Sequence, residues 1–263
     1  MENSKLKFLE SKNVFVFDTE TTGLPEKVPY AKWGSPNEYW PYKMNNKYSN
    51  SRIVSIAWAS IPNYIIGNII QTNHNNHNNN HNNHNNNNNN DNNDNNIEHF
   101  IRFPEGFETI PTEAIHGISW AKACNEGLKF IDIFENKGLQ KALMDAEYII
   151  AHNVFFDVHI LMNELWRLEC DSGMECIKHI ETMIKNGKCI CSGVIGRDIC
   201  KIEYKTNKKV RYDKYTDTGN TETKKYKMPK LVELYKFLYG CEFQGQHRAD
   251  GDVMALLQCL NKM

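Results

Sequence analysis

Residues 13–24 have the sequence NVFVFDTETTGL, in which a short apolar run ends in two carboxylates and a turn rich in threonine and glycine. Residues 14–17 alternate β-branched and aromatic side chains, which is typical of a strand buried on both faces. Asp18 and Glu20 lie two residues apart, so on an extended strand they share one face. The segment therefore predicts a core strand with two negative charges at its carboxyl end.

Two like charges at the end of a core strand need compensation, because burial and mutual repulsion both disfavour the ionised forms. Bound divalent cations, which prefer oxygen ligands, are the commonest compensation. The alternative is a turn in which Asp18 and Glu20 accept hydrogen bonds from backbone amides. The segment alone favours the metal site and leaves the capped turn open.

Length and composition set the broad class of the protein. With 263 residues, 40% of them hydrophobic, the chain is long enough for one large domain or two small ones. A net charge of −1 means that any nucleic-acid signal must be local. The sequence contains no apolar run of about 20 residues and no secretory signal, so we expect an intracellular soluble protein of the cytoplasm or nucleus with no membrane partner. Its eight cysteines fit free thiols better than a disulfide framework.

Apolar periodicity predicts the regular elements. Alternation at 52–61 and 97–103 predicts two strands that form an antiparallel meander with the first strand, and 147–151 predicts a fourth strand. A helix follows, whose face is formed by Val158, Leu161, Met162, Leu165 and Leu168. Helical segments are also predicted around Ala114 and at 127–145, 228–239 and 241–263.

Three other segments lack such periodicity. Residues 25–51 contain four prolines and predict an irregular loop beside the carboxylates. Its aromatic side chains either stack on bases or pack against the domain: Tyr30, Trp33, Tyr39, Trp40 and Tyr42. Residues 73–96, with 18 asparagines and four histidines, predict a disordered insertion within a hairpin. Residues 201–230 hold ten Lys or Arg against four Asp or Glu, which suits either a phosphate-binding flap or a solvated loop.

Four carboxylates are placed where one α/β sheet can gather them. Asp18 and Glu20 follow the first strand, Asp157 starts the helix after the fourth strand, and Asp252 borders the apolar face of the last helix. Two hard cations about 4 Å apart can bridge a phosphodiester and activate a water. His247, five residues before Asp252, is a candidate general base because histidine titrates near neutral pH.

The same residues carry a family resemblance. D-T-E-T-T-G at 18–23, H-N-V-F-F-D at 152–157 and H-R-A-D-G-D at 247–252 resemble, in order and spacing, the three motifs of the DEDDh 3′–5′ exonucleases. That family includes the proofreading subunit of the bacterial replicative DNA polymerase, RNase T and the oligoribonucleases. The I-H-G-I sequence at 115–118 is a frequent companion of these motifs in the proofreading-like branch.

The resemblance implies an RNase H-like α/β fold with a mixed five-stranded sheet in the order 3-2-1-4-5, flanked by helices, as a single exonuclease domain over residues 1–263. It also implies that two Mg²⁺ or Mn²⁺ ions are held by the four carboxylates, with His247 as the general base. The substrate-binding residues implied are Thr21, Thr22, Leu24, Asn153 and His116. Leu24 is expected to wedge against the base of the 3′-terminal nucleotide. From its residue type alone, His116 is more typical of a local capping or packing residue. We treat Asp250 as a bystander; the alternative is that Asp250 takes the place of Asp252.

The leading hypothesis is a metal-dependent 3′–5′ exonuclease that releases nucleoside 5′-monophosphates from single-stranded DNA. The first alternative is an RNA-trimming enzyme of the RNase T or oligoribonuclease kind. The second is a catalytically silent nucleic-acid-binding module, which the presence of all five catalytic-type residues disfavours. An editing role would require a polymerase partner in trans, and the sequence does not determine the oligomeric state.

Overall fold

A computed structural model describes residues 5–66, 97–203 and 226–263. The predicted insertion at 73–96 lies outside these ranges, and so does most of the basic segment at 201–230. The proposed roles of both segments therefore stay predictions, as does the extent of the single domain.

The described residues form one mixed sheet of five strands. The strands are β1 (Val14–Thr21), β2 (Ile53–Ile61), β3 (Glu98–Ile101), β4 (Tyr148–Ala151) and β5 (Cys189–Cys191). Their order is β3-β2-β1-β4-β5, with β1 antiparallel to β2 and parallel to β4. β2 and β3 are antiparallel, while β4 and β5 are parallel. The structure thus confirms the predicted meander and the predicted 3-2-1-4-5 order.

The helices cover both faces of this sheet. They are α1 (Glu113–His116), α2 (Trp120–Glu126), α3 (Phe130–Asn136), α4 (Leu139–Asp145), α5 (Val154–Arg167), α6 (Asp171–Lys185), α7 (Ser192–Cys200), α8 (Leu231–Tyr239) and α9 (Ala249–Lys262). Short 3-10 helices occupy Lys7–Leu9 and Asn45–Tyr48. Within the three described ranges, no helix combines the length and the apolar character needed to cross a membrane.

Alternate side chains of β1 pack into two separate hydrophobic clusters. Phe15 and Phe17 pack in one hydrophobic cluster with α3 to α6. Val14 and Val16 pack in a second cluster with α8 and α9 on the opposite face. Because the strand is buried on both faces, its side-chain alternation decides which helical layer each residue meets.

Two sequence predictions differ from the structure. The helix predicted at 127–145 is two helices, α3 and α4, because Gly138 between them adopts a left-handed backbone with φ 86°. Strand β5 and the helices on either side of it were not predicted from periodicity, since three residues are too few to show alternation. All eight cysteines are unpaired, as predicted.

A buried ion triad ties α5 to the start of β2. Glu164, on α5, accepts hydrogen bonds from Arg52 Nε at 2.8 Å and Nη2 at 2.9 Å, and from Arg102 Nη1 at 2.6 Å. Its Oε1 also accepts from the backbone N–H of Ile53 at 3.1 Å. Burial by itself would raise the pKa of Glu164, but the Arg102 charge and the bonds from Arg52 outweigh it and lower the pKa to about 2.

We expect Glu164→Gln to lower the free energy of unfolding by about 3–5 kcal/mol, because it leaves two buried arginines without their counter-charge. The wild-type contribution is present above the unfolded-state pKa of 4.5 and is lost as the pH falls toward 2, since the pKa is depressed in the folded state. Urea unfolding across this acid range measures both effects. Asp145→Asn, which removes the exposed Lys141–Asp145 pair, is the matched control and should change stability by less than about 0.5 kcal/mol. Equal effects of the two substitutions would contradict the prediction.

Candidate active site

Three carboxylates converge at the carboxyl end of β1. Asp18 and Glu20 share the side-chain parity of Val14 and Val16, so they lie on the face of the sheet covered by α9. Asp252, in the first turn of α9, meets them there. One carboxylate oxygen from each of the three residues lies within 4.8 Å of the others. This spacing and this set of hard oxygen donors fit a divalent cation.

Asp157 approaches the same point from the opposite layer. It lies in the first turn of α5 and is 2% exposed. Its Oδ1 accepts two hydrogen bonds from Thr19, from the backbone N–H at 3.1 Å and from Oγ1 at 2.7 Å. Thr19 stands between Asp18 and Glu20 on β1, so these bonds fix the fourth carboxylate immediately behind the other three.

The four carboxylates disfavour one another's ionised forms. Burial and the charges of Asp157, Asp252 and Glu20 raise the pKa of Asp18 well above its usual range. Burial and the charges of Asp252 and Asp157 raise the pKa of Glu20 to about 8. Burial also raises the pKa values of Asp157 and Asp252, although hydrogen bonds from Thr19 and His247 act against it.

No positive side chain in the described ranges relieves this repulsion. The ion pairs formed there by Lys, Arg and His include none with Asp18, Glu20, Asp157 or Asp252. A capped turn would leave these charges uncompensated, whereas a bound cation would favour the ionised form of every ligand. The geometry thus supports the metal hypothesis over the capped-turn alternative.

The loop before α9 carries His247, which is exposed and has a left-handed backbone with φ 60°. Its backbone N–H donates to Asp252 Oδ2 at 3.1 Å, so the loop directly orients that carboxylate. The loop folds closely onto the helix: a Cβ on Gly251 would lie 2.3 Å from the carbonyl oxygen of Gly245. Glycine at position 251 is therefore required for the loop to reach Asp252 in this way.

The neighbouring Asp250 does not join the cluster. Its carboxylate pairs with Arg248 Nη2 at 2.7 Å and lies 3.8 Å from His99 Nδ1. His99 in turn bonds Ser55 Oγ through Nε2 at 2.8 Å, and Ser55 is the β2 residue paired with Glu20. The structure thus places Asp252 in the acidic cluster and Asp250 outside it, while the roles of both residues stay predictions.

The turn after β1 is held from both sides. Thr22 exchanges two hydrogen bonds with Arg52, each 2.9 Å long, through its N–H and its Oγ1. Thr21 Oγ1 donates to the carbonyl of Gly23 at 2.7 Å. Both threonines are buried, whereas Leu24 is 75% exposed at the end of the turn. An exposed leucine on a fixed turn suits the predicted wedge.

His116 is connected to this turn by a chain of hydrogen bonds. Its Nδ1 accepts from the backbone N–H of Ile118 at 3.1 Å, so in the neutral ring Nε2 carries the proton and donates to Thr112 Oγ1 at 2.9 Å. Thr112 Oγ1 donates onward to the carbonyl of Thr21 at 2.5 Å. Burial lowers the pKa of His116, which favours this neutral form. His116 therefore positions the turn through Thr112, and its predicted contact with substrate stays a prediction.

Asn153 precedes α5 with a left-handed backbone, φ 71°. Its Oδ1 is buried and has no hydrogen-bond partner among the described residues. Burial raises the pKa of Tyr39, from the loop at 25–51, and the neighbouring Asn153 side chain acts against this rise. A strained backbone together with an unsatisfied buried oxygen next to Asp157 is typical of a functional position.

Sequence reasoning missed two residues that position this site, Thr19 and Thr112. Thr19 sits inside the D-T-E-T-T-G motif, and Thr112 lies three residues before the I-H-G-I sequence; both carry a hydroxyl able to bond a backbone or carboxylate group. Their position in or beside the motifs was the available signal.

Known proteins resemble this chain in structure but give no match by sequence. No family model matches the sequence, and no curated protein sequence matches it. Among solved structures, the zinc-bound E. coli exonuclease I in complex with single-stranded DNA is similar at 15% identity with a TM-score of 0.51, over 96% of this chain and 40% of that chain. An apo exonuclease I gives 14% identity and a TM-score of 0.53, over 96% of this chain and 42% of that one. A product-bound exonuclease I is similar at 14% identity with a TM-score of 0.52, over 95% of this chain and 42% of that chain. The chain thus spans about 40% of the length of these structures, and at this identity the likeness establishes the RNase H-like exonuclease fold.

In EDTA, we expect the free energy of unfolding to fall by about 2 kcal/mol as the pH rises from about 5 to about 8. The folded-state pKa of Glu20, about 8, exceeds the unfolded value of 4.5, so its contribution is present at low pH and is lost as the pH rises through the folded value. Millimolar Mg²⁺ or Mn²⁺ should restore the loss at pH 8, because the cation binds only the folded site. Urea unfolding followed by circular dichroism measures both changes.

Asp18→Asn is the matched variant for this measurement. It should stabilise the metal-free protein at pH 8, because it removes one of the repelling charges, and it should weaken the response to the cation. A wild-type protein whose stability is insensitive to both pH and cations would contradict the assignment of the cluster as a metal site.

Proposed function

We propose that the chain is a metal-dependent 3′–5′ exonuclease that hydrolyses single-stranded DNA and releases nucleoside 5′-monophosphates. The observation that carries the proposal is the convergence of Asp18, Glu20 and Asp252, backed by Asp157, with no cationic side chain in the described ranges to neutralise them. The similar solved structures support it, since they are exonuclease I proteins, one with single-stranded DNA and one with product.

The four carboxylates would hold two Mg²⁺ or Mn²⁺ ions, with Asp157 in the position most withdrawn from solvent. When bound, such ions neutralise charge on the scissile phosphate and lower the pKa of an attacking water. The carboxylates themselves orient this centre, because Asp157 is fixed by Thr19 and Asp252 by the backbone of His247.

The other groups of the site bind the substrate and move the proton. Thr21 and Thr22 present a turn whose backbone is already fixed, and Leu24 at its end packs against the base of the 3′-terminal nucleotide. His247, exposed on the loop beside Asp252, takes the proton of the attacking water. Asn153 offers its side chain near the scissile phosphate.

Asp18→Asn and Asp252→Asn should each lower the rate of Mg²⁺-dependent degradation of a 5′-labelled DNA oligonucleotide by about 10³-fold or more, because each removes a ligand of the metal centre. His247→Ala should lower kcat by about 10²–10⁴-fold, the usual contribution of a general base. Gel analysis of the product ladder provides the rates. Asp250→Asn is the control, since it makes the same charge change in the same helical turn outside the cluster, and it should retain activity within a few-fold. Undiminished cleavage by purified Asp18→Asn would refute the site.

With matched single-stranded oligonucleotides, we expect kcat/KM for DNA to exceed that for RNA, in line with the single-stranded DNA bound in the similar structures. The 2′-hydroxyl is the group by which a protein distinguishes the two. Parallel digestion of DNA and RNA of one sequence, in Mg²⁺ and in Mn²⁺, measures the ratio. A preference for RNA would favour the RNA-trimming alternative over a DNA exonuclease. Binding of DNA or RNA without any product would favour the catalytically silent binding module.

A further inference from the structure

The loop at 25–51 contains a hairpin, residues 27–39, which we call the loop hairpin. Lys27 and Tyr39 form an antiparallel bridge, and the N–H of Val28 donates to the carbonyl of Glu38 at 2.9 Å. Tight turns follow along its tip, from Val28 to Ala31 and from Lys32 to Ser35. The segment predicted as irregular thus has a defined backbone.

A buried carboxylate locks this hairpin internally. Glu38 is 1% exposed, and its two oxygens contact both ends of the element. Oε1 pairs with Lys27 Nζ at 2.5 Å, at the base, and Oε2 accepts from the N–H of Gly34 at 2.5 Å, at the tip. Breaking either contact would leave a buried charge partly unpaired, so the shape of the hairpin is strongly fixed.

A polar stripe on α5 fixes the loop to the domain. His159, Asn163 and Arg167 are spaced by four residues, so they lie along one side of the helix. His159 Nε2 bonds the carbonyl of Pro36 at 2.8 Å, Asn163 Nδ2 that of Tyr42 at 2.6 Å, and Arg167 Nη2 that of Asn45 at 2.9 Å. Because these bonds go to backbone carbonyls, they hold the path of the loop itself.

The same helix carries Asp157, so the loop hairpin stands beside the candidate active site. The Tyr39 ring lies 6.3 Å from that of Phe156, the residue before Asp157. The Tyr39 ring also lies 5.7 Å from that of His159 on the same helix. The base of the hairpin is therefore part of the wall next to the metal-binding carboxylates.

The aromatic side chains of the loop divide into two groups. Tyr39, Tyr42 and Tyr48 are buried and attach the loop to α5. Tyr30 and Trp33, at the tip, are 102% and 46% exposed. Tyr30 also has a left-handed backbone with φ 63°, a conformation that costs a non-glycine residue energy and that is common at binding sites. Exposed aromatic rings on a backbone that is already fixed are suited to stacking on flat ligands at a reduced ordering cost.

The charge of the loop suits a polyanion. Residues 25–51 contain four lysines and two glutamates, next to a strongly acidic cluster. Both glutamates pair with lysines of the loop, Glu38 with Lys27 and Glu26 with Lys47, so the positive charge in excess comes from the remaining two lysines. A nucleic acid strand that places a phosphate at the acidic cluster needs positive charge along its remaining length. Only unpaired bases offer their faces to aromatic rings, so the occupant that fits rings and lysines together is a single strand.

We propose that the loop hairpin is a second binding subsite, in which Tyr30 and Trp33 stack on unpaired bases on the 5′ side of the scissile nucleotide. The inference rests on the proposed function, since it assigns the segment of the substrate that lies beyond the cleaved residue. It makes the hairpin the element that selects single strands.

The test compares a substrate that has upstream nucleotides with one that has none. One is a deoxythymidine oligonucleotide of about ten nucleotides, and the other is the p-nitrophenyl ester of thymidine 5′-monophosphate, which has no upstream base. The Tyr30→Ala/Trp33→Ala double variant should raise KM for the oligonucleotide about 10- to 100-fold, because one or two stacking contacts are lost. Its kcat/KM for the ester should stay within about two-fold of wild type. Phe237→Ala, which removes an exposed aromatic ring from α8, is the control and should change neither.

An unchanged oligonucleotide KM in the double variant would overturn the subsite, and so would an equal loss on both substrates, which indicates a general disturbance. Tyr30→Trp/Trp33→Phe keeps the stacking surface and should restore the wild-type KM. If wild-type protein cleaves neither substrate, the proposed function fails instead. Fluorescence anisotropy of a labelled oligonucleotide in EDTA then decides the subsite by itself, since the double variant should bind at least about 10-fold more weakly.

Discussion

Negative charge without a positive partner is the constraint on which this structure depends. Two buried carboxylates of α5 show it, because Glu164 lies seven residues after Asp157 and so on nearly the same side of the helix. Glu164 has two arginines, and its pKa is lowered to about 2. Asp157 accepts hydrogen bonds from Thr19 but pairs with no cationic side chain in the described ranges, and burial raises its pKa. Within those ranges, the fold thus pairs Glu164 with two cations and gathers four other carboxylates at a place that suits an external cation.

Helix α5 connects this charge arrangement to the rest of the molecule. Its apolar face packs in the core through Val158 and Leu161, while Glu164 binds the arginine at the start of β2 that also fixes the Thr22 turn. Its polar stripe holds the loop at 25–51. One helix therefore sets the relative positions of Asp157, the turn after β1 and the loop hairpin, so the packed core also fixes the geometry of the candidate site.

Local patterns predicted much of this arrangement. The meander followed from alternation, whereas the 3-2-1-4-5 order was implied by the resemblance to the exonuclease family. Helical spacing and motif order grouped Asp252, and not Asp250, with Asp18 and Glu20, and the structure brings those three carboxylates together. Periodicity failed where one backbone dihedral or a very short element decided the outcome. The apolar spacing continues across Gly138, so it does not show that the helix is interrupted there. Strand β5 has three residues, which are too few to show an alternation of apolar and polar side chains.

The sequence by itself determined which residues carry charge, which faces are apolar and that Asp18 and Glu20 share one side of β1, because these properties depend only on residue type and spacing. Tertiary structure alone decided that Thr19 holds Asp157, that His116 acts on Thr21 through Thr112, and that Tyr39 is buried while Tyr30 is exposed. The physical reason is distance along the chain: contacts between residues 91 or 138 positions apart depend on how separate elements pack together, which no local pattern encodes.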